Sequence, residues 1–250
     1  MIGPKLLGAA LAALALAACS KSGNSAANGM ASNDNLTNAS APANPETNSG
    51  SGNNLSATDA AMAKISDVVD KAQDTAAAGV GAVSASTLGS VNTHEFVLNA
   101  ARSDLYEIDA AKVVEQRSKS SAVKKFAAQM IKDHTKTTKE LTSLVQGGNI
   151  KEQIPTALDQ RRQGLVDNLK SASADDLDVR YADQQVAAHE EAVTLMKGFA
   201  DHGDNDQLKA FAAKTAPTVQ MHLDMAKALD AAIKNKEDKV GGGTKGGANR

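Results

Sequence analysis

The chain has no tryptophan, two tyrosines and four phenylalanines in 250 residues. It therefore lacks the aromatic platforms on which bases or sugars stack, and its core has to be built from Ala, Leu, Val and Met. Neither sign of charge prevails: 27 Lys and Arg stand against 29 Asp and Glu, a formal net charge of −2. No electrostatic case for a nucleic-acid partner exists. Cysteine occurs once, at Cys19, which excludes an internal disulfide and would leave an exported chain with a reactive thiol unless modification consumes it. No stretch shows sustained β alternation. There is also no Gly-x-Ser-x-Gly elbow and no glycine-rich phosphate loop, so an enzyme is not expected.

What is present starts at the N-terminus. In "MIGPKLLGAALAALALAAC" a single early Lys5 precedes an uncharged Leu/Ala-rich run of about a dozen residues, which fits the h-region of a secretory signal better than a membrane span. The run ends in Leu16-Ala17-Ala18-Cys19 and resembles the bacterial lipoprotein signal, in which small residues admit the processing peptidase and the cysteine thiol takes a diacylglycerol. Residues 1–18 read as the signal peptide and Cys19 as the lipidation site, which anchors the chain to a membrane without spanning it. Removing residues 1–18, which hold Lys5 and no acidic residue, takes the net charge from −2 to −3. Ser20 after the cysteine, in place of an Asp retention signal, points to the outer membrane, facing the periplasm.

Residues 19–57 are dominated by Asn, Ser, Ala and Gly and bury too little apolar surface to offset ordering entropy, so a disordered tether is expected. Residues 58–91 read as a short helix with a thin stripe of Met62, Ile65, Val69, Ala72 and Ala76, followed by a glycine-punctuated linker, "GVGAVSASTLGS". Residues 92–236 are strongly helical in period, and 237–250 read as a loose tail.

Within 92–236 four long helices are expected. The first opens at Asn92 with Glu95 in a capping-box arrangement and carries Phe96, Ala100, Glu107, Ala111 and Val114 on one face. The second starts at Ser118 or Ser120, carries Val123, Phe126, Met130, His134, Leu141 and Val145, and stops at Gly147 to Asn149, where glycine would support a left-handed cap. A crossover of about 27 residues follows, with a helical stretch of its own from near Pro155 through Leu158, Leu165 and Leu169. The third, about 176–201, presents Tyr181, Gln185, His189, Ala192, Met196 and Phe199. The fourth, about 204–236, presents Leu208, Phe211, Thr215, Val219, His222, Ala226 and Leu229. Pro217 either bends this last helix or starts a separate one. Two helical hairpins joined by a long crossover describe an all-α, ferritin-like four-helix bundle.

The blocks "AARSDLYEIDAAKVV", "VKKFAAQMIKDHTKTTKEL", "DVRYADQQVAAHEEAV" and "LKAFAAKTAPTVQMHLDMAKAL" resemble, in order, those of the bacterial family catalogued as domain of unknown function 4142, over roughly residues 92–235. The resemblance implies an exported, ferritin-like domain and carries no settled activity.

His134, His189 and His222 each sit on a core-facing stripe near mid-helix, and Glu107 takes the equivalent place on the first helix. Three imidazoles and a carboxylate around one axis suit a transition metal such as zinc, copper or iron; the same four groups could instead form a hydrogen-bonded network that fixes helix register. Di-iron chemistry needs a carboxylate three residues before the histidine, where this chain has Ile131, Val186 and Val219. His94 and His202, near helix ends, are assigned no function. The functional expectation is a non-catalytic envelope lipoprotein that binds a partner the sequence does not identify, or contributes to envelope integrity; the alternative is a periplasmic metal-binding or metal-buffering protein.

Overall fold

In a computed structural model the described residues are 57–87, 89–148 and 150–241. The signal peptide, Cys19 and the tether up to residue 56 lie outside them, as do residues 242–250 of the expected tail. Six α-helices and no strand occur among the described residues: α1 Ala57–Ser86, α2 Thr93–Arg117, α3 Ser121–Gly147, α4 Gln160–Ser171, α5 Leu177–His202 and α6 Asp206–Gly241. The chain is all-α. No helix among the described residues is long and apolar enough to cross a membrane.

The helix starts follow local chemistry. Asn92 Oδ1 accepts from the Glu95 amide at 3.1 Å, opening α2; Ser120 Oγ accepts from Val123 N at 3.4 Å, opening α3. Asn205 Oδ1 accepts from Leu208 N at 3.1 Å at the head of α6. Each satisfies an amide that the first turn would otherwise leave unpaired.

The apolar stripes pack as their spacing predicts. Every residue of the expected stripes on α2, α3 and α5 is buried, as is that of α6 up to Ala226, with Leu229 half-buried. All six aromatic rings are core residues. Phe96 stacks on Phe199 with ring centroids 4.0 Å apart and meets Phe211 edge-on at 6.4 Å. These rings belong to one apolar cluster with Leu141, Val145, Leu195 and Leu208; a second cluster holds Tyr106, Val114, Phe126, Met130, Leu169 and Tyr181.

Four boundaries differ from expectation. The crossover helix α4 starts at Gln160, not near Pro155, because Asp159 caps it by accepting from Arg162 N at 2.8 Å. The C-cap of α3 at Gly148 is extended, φ −100° and ψ 174°, not left-handed. Glycine is required there for space: a Cβ would sit 2.9 Å from the Leu144 carbonyl oxygen. α6 runs unbroken through Pro217 and on to Gly241, five residues into the expected tail.

The fourth difference is α1, a single 30-residue helix that passes straight through Gly79 and Gly81, two of the glycines expected to form a linker. Its Gly81 is buried, and a Cβ there would lie 1.8 Å from Glu191 Oε2. The glycine admits a close helix approach and does not end the helix. α1 docks through its polar side: Arg180 pairs with Asp67 and, at 3.3 Å, with Asp70, while Asp74 accepts from Asn168 at 2.7 Å and Gln184 at 2.8 Å. The described residues of its apolar stripe face the other way. Val69, Ala72 and Ala76 are exposed, as are Val68, Val80 and Val83.

Candidate metal centre

On α3, α5 and α6 the histidine falls between the residues given to one apolar cluster and those given to the other. His134 lies between Met130 and Leu141, His189 between Tyr181 and Ala192, and His222 between Val219 and Ala226. The three rings therefore meet at one level of the bundle. Their centroids are 5.5 to 5.7 Å apart, and one nitrogen from each lies within 4.8 Å of the other two. All three are buried, at 5, 1 and 1 % exposure for His134, His189 and His222.

Each ring spends one nitrogen on an outer partner. His134 Nδ1 bonds Asp104 Oδ1 at 2.8 Å, His222 Nε2 bonds Asp133 Oδ2 at 3.0 Å, and His189 Nδ1 donates to the Gln185 carbonyl at 2.8 Å. The opposite nitrogens, His134 Nε2, His189 Nε2 and His222 Nδ1, are buried with no hydrogen-bond partner. Leaving a buried polar atom unpaired costs about 1–3 kcal/mol, and three such atoms, on rings whose nitrogens come within 4.8 Å of one another, are what a metal ion or a water would satisfy. Two nitrogens each about 2.0–2.1 Å from a common ion lie at most about 4.2 Å apart. Small side-chain rotations would bring the trio onto an ion.

The outer partners are themselves held. Asp104 accepts from Thr137 Oγ1 at 3.0 Å and Thr138 Oγ1 at 3.1 Å, and Asp133 accepts from Gln129 Nε2 at 2.5 Å. The run Asp133-His134-Thr135-Lys136-Thr137-Thr138 thus supplies one ring to the gap, two hydroxyls to the carboxylate behind that ring, and a carboxylate to the ring of another helix. Such carboxylate–imidazole contacts fix the tautomer and the ring orientation.

Protonation follows the surroundings. Burial opposes charge on His134, but the hydrogen bond and charge of Asp104, with Glu107 and Asp133, outweigh it and raise its pKa. Burial and the positive charge of His134 push His189 down to about 3; burial with the charges of His134 and His189 pushes His222 down to about 4. His189 and His222 are consequently neutral at neutral pH, the form that binds a cation.

Glu107 does not join this group. Its Oε2 accepts from Gln185 Nε2 at 2.6 Å, and its Oε1 is 3.9 Å from His189 Nδ1, the nitrogen already given to the Gln185 carbonyl. Along α2, Glu107 falls between Tyr106 and Ala110, both members of the second apolar cluster. One turn earlier, between Ala101 and Tyr106, Asp104 stands at the histidine level. The expected set of four reduces to three histidines, with the α2 carboxylate behind one of them. Burial raises the Glu107 pKa, against the lowering effects of His134 and the Gln185 hydrogen bond.

His94 and His202 are exposed and remote from the trio; His94 Nδ1 pairs with Glu152 at 2.6 Å. A larger cavity, about 460 Å³, lies elsewhere, under α1 beside Arg161, Arg180 and Gln184. Arg161 and Arg162 there both bond Glu191, Arg162 also pairs with Asp159, and Arg180 bonds the α1 aspartates, so their charges are already matched. The histidine trio is the better-supported site because its free atoms converge.

Over residues 78–229 the chain matches the family model described as "Domain of unknown function (DUF4142)". The match covers more than half of the chain, which belongs to that family. It begins inside α1, so the family's domain includes the end of that helix as well as α2 to α5 and most of α6. No curated protein and no solved structure matches the chain.

Proposed function

We propose that the chain is a metal-binding protein of the bacterial cell envelope, holding one transition-metal ion on His134, His189 and His222. The observation that supports this most is the convergence of three buried ring nitrogens that have no hydrogen-bond partner, each on a ring oriented from behind. Three imidazoles suit zinc or copper; iron sites more often include a carboxylate oxygen, and Glu107 stands aside. In this reading the α2–α3 and α5–α6 hairpins, with α4 in the connection between them, form a ferritin-like four-helix bundle whose site lacks the Glu-x-x-His motifs of a di-iron centre. The role is binding or buffering, and a lipid on Cys19 would hold the domain at the outer membrane on the periplasmic side.

Metal analysis of the full-length protein, purified without an affinity tag, is expected to find about one equivalent of zinc or copper, lost in His189→Ala. Wild-type protein that stays metal-free after incubation with either ion overturns the metal reading. Cell fractionation tests the anchor separately: Cys19→Ser is expected to leave the membrane fraction, and unchanged membrane partitioning of that variant would rule out lipid attachment there.

A further inference from the structure

Three histidines leave a four-coordinate ion one position short, and the fold determines what can occupy it. A closed structural site would take a fourth side chain; a site with an open position takes water or a small exchangeable ligand. The nearest candidate side chain, Glu107, is held by Gln185 and approaches His189 on the nitrogen turned away from the gap. Beside the trio lies a cavity of about 30 Å³, lined by His134 and His222, by the carboxylates that hold them, Asp104 and Asp133, and by Ala192 and Thr215 among others. That volume holds a water or a ligand of similar cross-section. The cavity touches two of the three rings and is bounded beyond them by the apolar side chains of Leu195, Met196 and Phe211.

We propose that the metal site is an open one, whose fourth position faces this cavity and exchanges water for a small anion or diatomic ligand. This rests on the three-histidine reading above. The exchange is a simple ligand substitution: the incoming lone pair forms the bond to the metal as water leaves, with no change of oxidation state.

The test uses the full chain loaded with Co(II), whose visible bands report coordination. Adding azide or cyanide is expected to shift those bands saturably, whereas imidazole, too wide for the cavity, leaves them unchanged. Ala192→Leu and Thr215→Leu, which fill the cavity from α5 and α6, are expected to keep the cobalt bands and weaken azide binding at least tenfold. Glu107→Gln is expected to leave azide binding unchanged. Should cobalt never produce these bands in the wild type, the three-histidine reading itself fails and this inference with it. Should the bands appear but ignore azide and cyanide, the ion is bound in a closed site and only the open position is wrong. Band shifts that persist at full strength in both filled variants would also overturn the proposal, since the ligand would then enter elsewhere.

Discussion

Zinc added to metal-free protein at about a hundred times its Kd is expected to raise the melting temperature by about 5–11 °C. A ligand that binds only the folded state stabilises by RT ln(1 + [L]/Kd), about 2.7 kcal/mol at that ratio, and for a domain of this size each kcal/mol moves Tm by about 2–4 °C. The gain should disappear in His189→Ala, which removes one of three ligands. Asp104→Ala should retain a reduced gain at the same zinc concentration, because the carboxylate orients His134 without lying in the gap; loss of such an outer partner costs about 10–100-fold in affinity. Equal gains in the wild type and in His189→Ala would place the zinc on some other site, such as the exposed acidic residues of the surface.

The part of this centre that was readable in the sequence is the part set by helical period. His134, His189 and His222 each occupy a core-facing position near mid-helix, and antiparallel helices bring such positions to one level whichever way they run. The carboxylates were harder to place because the same period allows two answers on α2: Asp104 and Glu107 are one turn apart on one face, and only the heights of the packed helices distinguish them. Asp133 was hidden for another reason. It precedes His134 directly, so on its own helix it turns about 100° away from the core stripe. Its role depends on α6, whose His222 reaches it from the neighbouring helix.

α1 shows the limit of pattern reading more sharply. The stripe residues Val69, Ala72 and Ala76 are exposed, and the bundle is met by Asp67, Asp70, Asp74, Gly81 and Ala85. Hydrophobic period reports the buried face when burial is driven by apolar area. Here the contact is made by aspartates against Arg180, Asn168 and Gln184, and by a glycine whose missing side chain admits a salt bridge. Neither feature has a periodic signature, and the glycines Gly79 and Gly81 looked like punctuation.

Metal-free protein is expected to lose stability between pH 6.5 and pH 4, and His189 is expected to account for a large share of the loss. Its pKa lies near 3 in the folded chain against an ordinary 6.5, so as the pH falls below 6.5 the unfolded state takes up a proton that the folded state refuses. Stability conferred by keeping this ring neutral is therefore complete above pH 6.5 and declines in acid, by about 2 kcal/mol at pH 5. His222, with a folded pKa near 4, acts in the same direction. His134 acts in the opposite direction: its pKa is raised, so its contribution is fully present below 6.5 and is lost as the pH climbs through the folded value. His189→Leu isolates the first effect, since leucine cannot titrate and vacates only a bond to the Gln185 carbonyl of its own helix. Urea unfolding of chelator-treated wild type and His189→Leu at pH 7 and pH 5 is the measurement. The stability difference between the two proteins should move by about 2 kcal/mol in favour of the variant on going to pH 5. Parallel pH dependences for the two proteins would mean that His189 is not held neutral, and that the gap between the three rings admits a proton as readily as water does.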